Sequence, residues 1–80
     1  MKTPEAIHSE IDKLEFELVS LSGTETSKIV DLDVRIAELW SELAEIVMAS
    51  GDYPLWVYAA AYQAKRYHEE SARILRKHIR

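Results

Sequence analysis

Two apolar ladders constrain this chain more than any other feature of it. Ile7, Ile11, Leu14, Leu18 and Leu21 step by 4, 3, 4 and 3, and Ile29, Leu32, Ile36, Leu39, Leu43 and Ile46 step by 3, 4, 3, 4 and 3. At about 100° per residue this spacing keeps one seam on one side of an α-helix, whereas a strand would scatter the same residues over both faces. The expected fold class is therefore all-α. The two laddered helices should pair as a coiled-coil-like hairpin.

The breakers divide the chain into three helices, at about 4–22, 26–50 and 53–79. Thr3 is placed to cap the first, with Pro4 at the first helical position, where a missing N–H costs nothing, and Glu5 in the first turn. Gly23 is expected to close it in the left-handed conformation. Thr24 or Thr26 is expected to cap the second helix, which Gly51 ends, and Asp52 the third, with Pro54 tolerated in its first turn. Short connections make neighbouring helices antiparallel. The reading is a three-helix antiparallel bundle occupying residues 1–80 as a single domain, in which a hairpin is joined by a long basic third helix. The first helix is too short to cover the other two along their whole length.

On the second helix, Trp40 and Val47 fall on the ladder side and read as core. On the third, the inward arc by the same geometry is Val57, Ala60, Ala61, Ala64, Tyr67, His68, Ser71, Leu75 and Ile79, a face rich in small residues that permits close approach. Trp56 sits at the edge of that arc and reads as structural. His68 reads as a buried, hydrogen-bonded histidine.

An 80-residue chain with 48% hydrophobic residues can fold, but buries a smaller share of its surface than a larger one, so a partner often supplements the core. Absence of cysteine excludes a disulfide framework and thiolate chemistry. No stretch approaches the roughly 18 apolar residues of a membrane span and the start lacks a signal-peptide core, so a cytoplasmic protein is expected. The net charge of −4 hides a division: residues 1–52 carry 12 acidic and 4 basic side chains, residues 53–80 carry 2 acidic and 6 basic. Such a chain can attract partners of either sign, including copies of itself.

Some apolar residues are not needed by the bundle. Phe16 points away from the Ile7–Leu21 seam with Val19 beside it, which suggests a second contact face. Leu55, Tyr58 and Tyr62 share an arc with Arg66, Glu69, Arg73 and Arg80, and tyrosine and arginine are the types over-represented at binding hot spots. Asp31, Glu38, Glu42 and Glu45 form an acidic stripe broken by Arg35. Its ordinary reading is a solvated face; its functional one is a surface that meets a basic partner, and it could also partly neutralise the third helix.

Catalysis and metal chemistry have little to stand on. The Glu5-x-x-His8 spacing lacks the second motif and inward glutamates of a di-iron bundle, and His68-Glu69-Glu70 lacks the second histidine of a zinc-protease helix. No phosphate loop or nucleophile elbow is present, so no enzyme, no cofactor and no metal site is expected. Lys65, Arg66, Arg73, Arg76, Lys77 and Arg80, preceded by tyrosines, could hold phosphates while rings stack on bases. Ion pairs Lys65–Glu69, Arg66–Glu70 and Glu69–Arg73, together with the helix dipole, account for most of that pattern without a ligand.

The function expected is a small non-catalytic protein-interaction module that self-associates as a homodimer or small homo-oligomer. It would bind a protein through Phe16 and Val19, through Tyr58, Tyr62, Arg66 and Arg73, or through Glu38, Glu42 and Glu45. Small, acidic, cysteine-free helical chains are frequent among phage and mobile-element accessory proteins that block host factors, so inhibitor or adaptor is the expected type. The alternative is single-stranded nucleic acid or a nucleotide on the basic third helix.

Overall fold

The computed structural model describes residues 3–79, and among them it contains three helices and no strand: α1 (Pro4–Val19), α2 (Thr26–Ser50) and α3 (Leu55–Arg76). Together they form a body of 43 × 20 × 19 Å.

The ends follow local chemistry, in places against expectation. Thr3 caps α1, its hydroxyl accepting the Ala6 N–H at 3.1 Å with Pro4 first in the helix. Gly23 does not close α1. The helix stops earlier, at Val19, because Ser20 and Leu21 turn their N–H groups to Glu17 and Leu18, tightening the last turn without a left-handed residue. Of the two glycines only Gly51, at φ +70°, takes the left-handed conformation, and it ends α2. Neither Thr24 nor Thr26 caps α2. The Thr24 hydroxyl pairs with Ser22 at 3.0 Å, and Glu25 holds the cap position while its carboxylate accepts the Ser22 N–H at 3.0 Å. Asp52 does not cap α3 either. Proline disfavours the helical region for the residue before it, Tyr53 stays outside the helix, and α3 begins at Leu55 with Pro54 as its cap residue. The third helix ends at Arg76, short of the expected 79, in another tightened turn.

The packing places α2 between the other two helices. Both α1 and α3 pack on α2, and among the described residues no Cα of α1 comes within 8 Å of one in α3. Two ladders on α2 explain this. Ile36, Leu39 and Leu43 of the first join Ile7 and Ile11 in the apolar core, with Leu14 and Leu18 half-buried against it. A second ladder runs one residue ahead, with Val30, Asp33, Ala37, Trp40, Ala44 and Val47 spaced by 3, 4, 3, 4 and 3. All but Trp40 of that set are buried. One residue is about 100° around a helix, so the two ladders face two directions and receive two partners.

On α3 the buried residues are Ala61, His68 and Ala72, with Val57, Tyr58, Ala64, Lys65, Ser71 and Leu75 half-buried. The facing arc is thus turned relative to the expected one. Tyr67 (70% exposed) and Ala60 lie outside it, Ala72 lies inside it, and Tyr58 packs on the core instead of facing away. Trp56 is 70% exposed and plays no part in the core.

Candidate interaction surfaces

Grooves flank α3 on both sides. The first separates α3 from the acidic side of α2, with Glu38, Glu42 and Glu45 along one wall and Lys65, Glu69, Arg73 and Arg76 along the other. The acidic stripe therefore faces the basic helix of its own chain, and Glu42 is half-buried there while Glu38 and Glu45 are exposed. The second groove separates α1 from α3. At one end His8 and Asp12 of α1 face Tyr53 and Val57 across a floor of Leu43 and Val47. The His8 ring meets Trp40 edge-on, 5.9 Å between centroids. On the far flank of α1, Glu10 is bonded to Arg35 of α2 at 3.1 Å.

Phe16 and Val19 are 74% and 78% exposed. By helical rotation Val19 follows the His8–Asp12 flank of α1, and Phe16 stands just outside it. On α3, Trp56, Tyr67 and Ile74 share the flank turned away from the acidic groove, and so stand on the α1 side. Spacing alone does not reveal this stripe, because it places Tyr67 on the inward arc, whereas the side chain is exposed. Met48, Tyr53 and Leu55 add exposed apolar surface at the α2–α3 turn. Tyr58 and Tyr62 stack at 6.3 Å between centroids on the other side of α3, and Lys65 lies 5.4 Å over the Tyr62 ring.

Several cations of α3 have partners within the helix. Lys65 reaches Glu69 at 3.9 Å. Arg73 pairs with Glu70 and not with Glu69, donating through Nε and Nη2 at 2.9 and 3.1 Å. That hydrogen bonding, then the guanidinium charge, holds the Glu70 carboxyl below its usual range, and the Arg73 pKa is raised in return. Glu70 is thereby taken, and Arg66 and Lys77 act on it only through space. Glu25 is likewise held low, chiefly by the Ser22 N–H and then by Lys28. Arg76 is exposed, and Arg80 lies outside the described residues.

The most buried polar group is one that sequence reasoning passed over. Asp33, 1% exposed, sits on the second ladder of α2 and accepts hydrogen bonds from both elements of an α3 pair: His68 Nδ1 lies 2.7 Å from one oxygen, and the Ser71 hydroxyl donates to the other at 2.7 Å. His68 is 6% exposed, as its inward reading required, and Tyr67 packs edge-on against it at 5.1 Å. Serine and histidine both bond the carboxylate here. The hydroxyl is therefore not activated by the imidazole, and the arrangement serves to tie two helices together. The signal that would have found it is the position of Asp33, one acid in an otherwise apolar heptad ladder.

Among the described residues no three of His, Asp and Glu come together so as to hold a metal ion, and no helix is long and apolar enough to cross a membrane. No protein-family model, no curated protein and no solved structure matches this chain.

Proposed function

We propose that this chain is a small non-catalytic protein-interaction module, of inhibitor or adaptor type, whose partner-binding surface is the open side between α1 and α3. One observation carries the reading. Val19, Trp56, Tyr67 and Ile74, all half exposed or more, turn by helical rotation to the same side of the molecule, with Phe16 beside Val19 on the back of α1, while much of the α2–α3 interface is filled with alanine. A chain with so few large core residues gains by covering such groups against a partner, and aromatic anchors of this kind dominate interface energetics. A phosphate-bearing ligand on α3 is less favoured, since Lys65 and Arg73 are already engaged by Glu69 and Glu70.

The test is capture by the tethered chain from extracts of its source cells, comparing the wild type with Phe16→Ser and Trp56→Ser. Both positions are exposed, so both variants should keep wild-type helicity by circular dichroism. A specific protein held by the wild type and lost with either variant supports the reading. Retention unchanged by both substitutions, or abolished by raising salt alone, counts against it.

A further inference from the structure

We infer that the partner seated on this open side is a second copy of the chain, arranged so that α1 of each protomer lies along α3 of the other. The inference rests on the protein-binding reading above and names the occupant. It follows from charge and from height along the bundle.

Consider charge first. Within its bounds α1 carries five carboxylates and one lysine, net −4, with Glu5 and Asp12 on its open flank, whereas the Tyr67 flank of α3 carries Gln63, Arg66 and Glu70 and is near neutral, Lys65, Arg73 and Arg76 lying in the groove on its other side. A two-fold axis across the helices would set α1 against α1 and α3 against α3, opposing the acidic flank of α1 to itself. An axis running along the helices sets α1 against α3 of the partner, twice and identically, which is the self-complementary contact a closed dimer requires.

Height comes next. Helices α1 and α3 both run antiparallel to α2 and hence parallel to each other, and His8 and Val57 share one cleft. Eight residues further along each helix are Phe16 and Lys65, at equal rise. Phe16 and Val19 therefore stand level with the part of α3 that carries Tyr67. An axis along the bundle preserves height, so Phe16 and Val19 of each protomer meet Tyr67 of its partner, apolar against apolar, while Ile74 lies about 9 Å further along. The three aromatic rings, Phe16, Trp56 and Tyr67, alone offer roughly 300–500 Å² per protomer at their observed exposures. That is about half of the roughly 800 Å² each partner contributes to an interface of standard size.

The chain has no cysteine, which makes a direct test simple. The first measurement is absolute mass by light scattering after size exclusion. A value twice the 9.2 kDa chain mass is expected for the wild type, falling to the single-chain mass for Phe16→Asp and for Tyr67→Asp. The second is crosslinking of Val19→Cys and Glu70→Cys proteins with a short bis-maleimide. A doubled band is expected when the two variants are mixed and not with either alone, because only the α1–α3 pairing brings the two positions together across copies. Self-crosslinking of Val19→Cys would overturn the arrangement. So would a dimer indifferent to Phe16→Asp and Tyr67→Asp. A wild type that stays monomeric at high concentration overturns the second-copy occupant. If that monomer still captures a foreign protein in a Phe16-dependent way, the protein-binding reading survives without it.

Discussion

Between α1 and α2 the buried groups are large and aliphatic: Ile7, Ile11, Ile36, Leu39 and Leu43. Between α2 and α3 they are mostly small, with Ala37, Ala44, Ala61 and Ala72, and among them Asp33 and His68 are joined at 2.7 Å. The first interface stabilises by area. Each Leu or Ile fully buried contributes about 1.5–3 kcal/mol, and one heptad position resembles the next. The second buries less apolar surface per residue but brings the backbones close and contains a polar contact that can form in only one register. A slip of α3 by one turn would leave a carboxylate, an imidazole and a hydroxyl buried without partners. One interface supplies bulk and the other supplies alignment, a use of buried polar groups best attested in coiled coils.

The largest way to break this contrast is Asp33→Ala. It strands His68 and removes the acceptor of Ser71, and is expected to cost about 3–5 kcal/mol, read by urea denaturation at fixed protein concentration. The double change Asp33→Leu with His68→Leu sharpens it: stability should return close to wild type while the α2–α3 alignment loosens, seen as broadened side-chain NMR signals. If Asp33→Ala costs no more than an exposed substitution, the polar contact is not what aligns the hairpin.

Next in size is the seam of α1. Ile11→Ala should cost about 2–4 kcal/mol and Ile11→Leu less than about 1.5 kcal/mol in the same assay, since volume and not identity matters in that interface. Equal losses from the two would mean that the seam, too, is position-specific. The smallest effect is expected for Arg35→Gln, which removes the Arg35–Glu10 bond across the exposed edge of the α1–α2 pair. It should shift stability by about 0.2–1 kcal/mol, and less at high salt.

The same contrast explains what could be read in advance. The α1–α2 seam was legible because Ile and Leu at heptad spacing carry a strong periodic signal. The α2–α3 interface was not, because alanine is nearly as common outside a core as within one, and Asp33 reads as surface until a partner is placed against it. The orientation of α3 failed for the same reason. With Ala60, Ala61, Ala64 and Ala72 all available, the bulk of Tyr67 pulled the assigned arc toward itself, whereas the structure centres it on Ala61, His68 and Ala72. Of the surface positions, Phe16 and Val19 stood out because a complete ladder lay opposite them. The pairing of Arg73 with Glu70 in place of Glu69 depends on side-chain reach, which spacing alone leaves open between three and four residues.

One consequence follows from the separation of α1 and α3. Because no Cα of α1 comes within 8 Å of one in α3, α1 can lift from its seam and leave the bonds of Asp33 in place, although Val57 and Tyr58 of α3 pack on the core that Ile7 and Ile11 share. The outer helix is thus the element whose local opening leaves the polar α2–α3 contact in place. When α1 lifts away, Ile36, Leu39 and Leu43 come into the open. The surface available to another chain then has two extents, depending on whether the outer helix is seated.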